Sequence, residues 1–312
     1  MTIDDKKETG DKPAEFPMQL CELMAEFDRQ RTTETLTPIT TGFVAIDKIV
    51  GGRYPGELCV IASHSGVGKT SFVLSSIRNM VRRDIPVALF VADYTYHKGF
   101  VDRIVSSIIY YDEQETPLKP EETPLYIDLQ SHMTIEHIGH EARKLVQEKG
   151  VKCIFIESLY NIFYAEGTNR DLLAKGEVCD KLKQLAIELK VPIVATCHMK
   201  FFGYDYYLDR KFRPTLTDLP YGGVIERFAD TVYLLNRPDL YGITEDAHGE
   251  SLVNILEVHI DKNKYGHGGK ERLFLYPSTG LVAEKRPIKK KPISKIPEFF
   301  KNDVKLDDDI IN

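Results

Sequence analysis

The chain has 312 residues, 42% of them hydrophobic, and a formal net charge of −6. That length and apolar content can bury one large α/β core and leave residues for terminal extensions, and the acidic balance excludes wholesale, non-specific coating of nucleic acid without excluding a locally basic channel. The five cysteines form no C-x-x-C pair, no apolar run is long enough to span a membrane, and the first residues are too polar for a signal peptide, so a reduced, cytoplasmic protein is expected.

Residues 1–14 carry no hydrophobic pattern and are expected to be disordered. Next, Phe16, Leu20, Leu23, Met24 and Phe27 fall at i, i+4, i+7, i+8 and i+11, which predicts one apolar stripe on a helix over 15–31. Periodicity alone does not say whether that stripe packs on its own domain or on a neighbouring subunit. The core is expected over 36–284. Its strand candidates are 58–62, 87–92, 124–128, 153–157, 192–197, 231–236, 252–260 and 272–276. Amphipathic helical stretches separate the first five, and short loops join the last ones. That alternation predicts an α/β fold with a mostly parallel, doubly wound sheet and antiparallel C-terminal strands. Residues 285–312 are basic and proline-rich, then acidic, and read as a flexible tail.

The most informative stretch is VIASHSGVGKTSF, residues 60–72, where an apolar run enters a glycine-rich turn and a helix comes next. This is the layout of a nucleotide phosphate-binding loop. Without a Cβ at Gly66 and Gly68, backbone N–H groups can converge on phosphate oxygens, and the next helix points its positive end at the same anion. The candidate binding residues are Ser63, His64, Ser65, Gly66, Val67, Gly68, Lys69, Thr70 and Ser71. Lys69 would meet the outer phosphates, and the Thr70 hydroxyl would be a ligand to Mg²⁺. Ser63 departs from the glycine that the strict G-x-x-x-x-G-K-[ST] pattern has at its first position.

The order of motifs along the chain resembles the C-terminal motor domain of replicative DNA helicases of the DnaB type, a RecA-like P-loop ATPase. The resemblance runs through TGFVAIDKIVGGRYPGELCVIASHSGVGKTSF, FVADYT (90–95), KCIFIESLYNIF (152–163), VPIVATCHMK (191–200), DLPYGGVIERFADTVYLLNR (218–237) and DKNKYGHGG (261–269). It covers nearly the whole core. The resemblance does not extend to the family's N-terminal primase-interacting domain, which is expected to be absent, and the 15–31 helix resembles the linker helix that docks on an adjacent protomer. The family implies ATP and Mg²⁺ as cofactors, a hexameric homo-oligomer with nucleotide at subunit interfaces, single-stranded DNA as partner, 5′ to 3′ movement, and a primase or loader as a further partner.

The same resemblance distributes the chemistry. Glu157 stands where the family usually has the Asp that holds water on the metal ion. Asp93 stands where it usually has the Glu that polarises the attacking water, so the two carboxylates are exchanged in length; an ordinary helix N-cap is the alternative for Asp93. His198 occupies the sensor position, often Gln, and could equally be a satisfied strand-end histidine. Lys262 and Lys264 match the basic pair that enters a neighbour's site in trans, although the second is usually Arg, whose bidentate fork Lys lacks; otherwise they are solvated charges. DNA contact is expected from Arg210, Lys211 and Arg213, interleaved with Phe201, Phe202, Tyr204, Tyr206, Tyr207 and Phe212, as cations and aromatic faces suit a single strand. Such a loop can also fold against protein. Asn169 and Arg170 are further candidates for the channel. His132, His137 and His140 lack the frame of a zinc site. Two other readings fit the residues: a recombinase or remodelling ATPase of the same fold, and a catalytically weak, nucleotide-dependent binding or loader module.

Overall fold

The computed structural model describes residues 19–22, 24–25, 37–92, 104, 107–108, 118–130, 133–163, 172–200, 213–277 and 279–284. The expected tails 1–14 and 285–312, the stripe residues Phe16, Leu23 and Phe27, and His132, Asn169 and Arg170 lie outside them. Of the predicted N-terminal helix, Leu20 and Met24 are described; both are helical and exposed.

One nine-stranded sheet organises the chain. Its strands are β1 (Leu58–Ser63), β2 (Val87–Val91), β3 (Leu125–Leu129), β4 (Cys153–Glu157), β5 (Ile193–His198), β6 (Thr231–Asn236), β7 (Ile255–Asn263), β8 (Gly269–Tyr276) and β9 (Leu281–Ala283). They lie in the order β3-β2-β4-β5-β1-β6-β7-β8-β9. The pairings through β6 are parallel, and those from β6 to β9 are antiparallel. The helices are α1 (Val44–Val50), α2 (Lys69–Val81), α3 (Ile135–Lys149), α4 (Leu172–Leu189) and the short α5 (Val224–Phe228).

Every residue of β1 is buried, because helices cover both faces of the sheet. Alternate side chains separate the two cores. Leu58, Val60 and Ala62 pack with Ile138 of α3 and Leu182 of α4, whereas Cys59 and Ile61 pack with Ile46 of α1 and Phe72 and Ile77 of α2. Each fully buried aliphatic side chain contributes about 1.5–3 kcal/mol, so the two faces together fix the position of β1. Cys59, Cys153, Cys179 and Cys197 are free and buried, and burial pushes each thiol up to about 12, as expected of inert core residues.

The parallel strands all end on one edge of the sheet, where α/β folds bind ligands. The loop 64–68, Glu157 of β4 and His198 of β5 share that edge. The antiparallel extension differs from expectation at its turns: β7 continues through Lys262 and Asn263, and β8 begins at Gly269 rather than 272.

Candidate active site

β1 delivers the chain to the loop, and two glycines turn it. Gly66 has φ +77, and a Cβ built there would meet nothing within 4 Å, which leaves an open cradle beside the backbone. Gly68, with φ +124, is the N-cap of α2, a conformation that a residue with a Cβ rarely adopts. The first helical bond runs from the Phe72 N–H to the Gly68 carbonyl at 2.9 Å, so the amides of Lys69, Thr70 and Ser71 stand at the helix N-terminus ahead of its ladder. Ser65 and Gly66 are exposed, His64, Gly68 and Thr70 are half-buried, and Val67 and Ser71 are buried.

Three elements converge on this turn. The Lys69 ammonium, itself buried, donates to the Ser63 carbonyl and the Ser63 hydroxyl, both at 3.2 Å, and lies 3.2 Å from Nδ1 of His198. Parallel pairing sets Ser63 against His198, so the contact follows from the strand register. The Thr70 hydroxyl donates to Oε1 of Glu157 in a short hydrogen bond that joins α2 to β4. Burial lowers the pKa of Lys69, with Cys197 and Glu157 acting against it. Burial also lowers that of His198, reinforced by Lys69 and then His64. His64 is lowered by burial and by Lys69, while Asp218 opposes the shift.

The cradle fits a polyphosphate, given its backbone concavity, helix N-terminus and buried ammonium. A hydroxyl already joined to a carboxylate is a hard-oxygen donor pair suited to Mg²⁺, which fills its remaining positions with water and phosphate. Among the described residues no group of three or more His, Cys, Asp or Glu side chains could cage a metal ion. His137 is bonded to Asp128 at 2.7 Å, and His140 lies 3.7 Å from Glu141.

The predicted basic pair sits elsewhere. Thr231 pairs with Cys59 on one side and with Asn263 on the other, which places Lys262 and Lys264 beside the beginning of β1, whereas the loop leaves its end. The four steps from Cys59 to Ser63 span about 13 Å at roughly 3.3 Å per residue, which separates the strand edge beside the lysines from the loop. Lys262 donates to the carbonyls of Glu226 and Ala229 at 2.6 and 2.7 Å. Lys264 pairs at 3.3 Å with Asp230, a buried carboxylate that also accepts from Lys183 at 2.6 Å and from the Leu58 N–H at 2.8 Å. Lys183, Arg227, Asp230, Lys262 and Lys264 line a cleft of about 460 Å³ at this edge. Exposed Arg213 pairs with Asp261 at 3.3 Å. Asp93, Arg210, Lys211 and the aromatics at 201, 202, 204, 206, 207 and 212 lie outside the described residues.

Lys69, Thr70, Glu157 and His198 are thus brought together, and Lys262 and Lys264 are set on the opposite edge. Asp230 and Lys183 were not anticipated. The only local sign of Asp230 is a carboxylate immediately before an apolar strand, where burial demands partners.

The model of the DnaB-like helicase C terminal domain matches residues 38–280. The chain belongs to this family. Curated relatives of this DnaB-like chain include the replicative DNA helicase DnaB of Leifsonia xyli subsp. xyli, 29% identical over 237 residues, covering 70% of this chain and 50% of the relative. The replicative DNA helicase DnaC of Bacillus subtilis is 28% identical over 252 residues, covering 75% and 54%. The Pasteurella multocida DnaB is 26% identical over 298 residues, covering 87% and 61%. The DnaB-like chain spans about half the length of the curated relatives it matches. Two solved structures share its fold at 20% identity. One, an ATPase domain, has a TM-score of 0.68, covering 85% of this chain and 98% of that one. The other, a DnaB-like replicative helicase described with its interactions with primase, has a TM-score of 0.67, covering 86% and 67%. Among the described residues no helix is long and apolar enough to cross a membrane.

Proposed function

We propose that this chain is the ATP-hydrolysing motor of a ring-forming helicase or translocase on single-stranded DNA, moving 5′ to 3′ as its family implies. The observation that carries the reading is the division of the chemistry between opposite sheet edges: Lys69, Thr70, Glu157 and His198 on one, Lys262 and Lys264 on the other. A site divided in this way is completed by a second copy, and head-to-tail repetition closes a ring, a hexamer in this family.

Lys69 neutralises the outer phosphates of ATP, and the loop amides 64–71 cradle them. Thr70 and Glu157 would hold Mg²⁺, directly and through water, and the ion when bound offsets charge on the phosphate oxygens. The contact of His198 with Lys69 supports a role in sensing the phosphate that Lys69 meets. Asp93 orients the attacking water. Lys262 and Lys264 of one subunit meet the transferred phosphate in the next. Arg210, Lys211 and Arg213 supply cations for single-stranded DNA, and a primase or loader is the further partner.

Mixing two inactive variants tests the division. Lys69→Ala and Lys264→Ala each abolish turnover, whereas their 1:1 mixture recovers about a quarter of wild-type activity, because random neighbours rebuild one interface in four. No recovery overturns the trans arrangement. A second reading, a catalytically weak nucleotide-dependent module, is favoured by the bonds that hold both lysines within their own chain. ATP binding without DNA-stimulated turnover selects it; stimulated turnover without duplex unwinding selects a recombinase-like ATPase.

A further inference from the structure

Lys175 is a cation in an expensive place. It lies in the first turn of α4, where the helix dipole is unfavourable to positive charge, and only 2% of it is exposed. Its ammonium donates to three main-chain carbonyls, Leu159 at 3.1 Å, Tyr160 at 2.9 Å and Ile162 at 2.7 Å, and stands 5.9 Å above the Tyr160 ring. Burial pulls its pKa down to about 8, with Cys179 opposing, so the ammonium remains the main form at neutral pH.

The three carbonyls belong to the turn that leaves β4 immediately after Glu157. Leu159–Asn161 form a single 3₁₀ turn, whose start is capped by the Ser158 hydroxyl accepting from the Tyr160 N–H at 3.3 Å. Beyond it, Phe163 is anchored by exchange of main-chain bonds with Met133 and Ile135, both at 3.0 Å. Between these anchors, carbonyls from three different residues converge on one point. An ammonium with three donors matches that convergence, as an alkali ion would.

We propose that Lys175 is a positioning residue: its ammonium is a built-in counter-ion that gathers the turn after β4 and thereby fixes Glu157 for its role at the metal ion. The inference rests on the proposed role of Glu157. Lys175 touches neither nucleotide nor metal and acts through the backbone two to five residues beyond the carboxylate.

Binding of a fluorescent ATP analogue, measured with and without Mg²⁺, tests this without relying on turnover. In Lys175→Met, affinity without Mg²⁺ should stay within about twofold of wild type, while the gain in affinity from Mg²⁺ falls about tenfold or more, the usual cost of losing an outer-shell partner. In Lys175→Ala, ethylammonium should restore part of that gain, and sodium at equal ionic strength should not. A wild-type Mg²⁺ gain in Lys175→Met overturns the inference. So does a loss that is equal with and without Mg²⁺ and resists ethylammonium, since it marks a merely structural lysine. If Lys175→Met fails to fold, the ethylammonium comparison in Lys175→Ala decides. Glu157→Gln separates the layers: if it keeps the Mg²⁺ gain, the role of Glu157 falls; if it loses the gain while Lys175→Met keeps it, only Lys175 is misassigned.

Discussion

The Lys69 ammonium lies 3.2 Å from Nδ1 of His198. An ammonium only donates, so Nδ1 accepts and the ring is neutral. Burial, Lys69 and His64 all hold the pKa of His198 below the ordinary value of 6.5, and burial does the same for His64. Because both folded pKa values are depressed, their contribution to stability is fully present above pH 6.5 and is lost as pH falls through the folded values. In thermal melting of the nucleotide-free protein the histidine contribution should therefore be nearly flat above about pH 7 and decline below about pH 6.5, while Lys175, held at about 8, adds a separate rise in stability toward higher pH. His198→Gln should decline less steeply in that acid range; an unchanged slope would show that the ring does not bear on Lys69.

Lys69 separates function from stability. Its burial lowers its pKa, so the cation stands in the fold at a cost that its hydrogen bonds to Ser63 only partly offset. Lys69→Met should lower ATP turnover by about a hundredfold or more while melting at or above the wild-type temperature. A variant that loses both would mark Lys69 as structural.

The two partners of the Asp230–Lys264 pair should respond unequally. Lys264 is 65% exposed, so Lys264→Ala should change unfolding free energy by less than about 1 kcal/mol. Asp230 is 2% exposed and also serves Lys183 and the Leu58 amide, so Asp230→Ala should cost about 3–5 kcal/mol, the scale for stranding buried partners. Denaturant titration of both variants reads the difference, and equal effects would contradict the placement of Asp230.

These residues show what the sequence could disclose. The phosphate loop was legible because glycines, lysine and threonine succeed one another along eight residues, and the central strands because apolar runs dictate them. The bonds of Asp230 reach Leu58, Lys183 and Lys264 across 172, 47 and 34 residues, and no local pattern encodes such distances. Lys175 carries no local sign of burial, since its carbonyl partners lie 13 to 16 residues away. Lys262 and Asn263 read as a loop because they are polar, yet they extend β7 since Val232 and Thr231 offer a paired edge. β9 is three residues long, too short for a periodic signal.

The stripe containing Leu20 and Met24, 72% and 59% exposed in a single chain, predicts an assembly role. Deleting residues 1–31 should leave a folded core that sediments as smaller species, because an uncovered apolar face needs a partner. Retention of the full-length oligomer would mean that the stripe is not a bridge between protomers.

Asp93 carries the sharpest test of the chemistry. Ala92, which precedes Asp93 in the chain, donates to the Glu157 carbonyl at 2.6 Å, so the end of β2 lies beside the end of β4. If Asp93 orients the attacking water and is one methylene too short, Asp93→Glu should raise turnover with little change in nucleotide affinity. Asp93→Asn should then lower turnover by about a hundredfold or more, the scale of a lost general base. A helix-capping Asp93 gives the opposite outcome, since Asn caps as well as Asp and both turnover and melting temperature would stay at wild type. Single-turnover hydrolysis by Asp93→Asn decides between them, and an unchanged rate would remove Asp93 from the reaction.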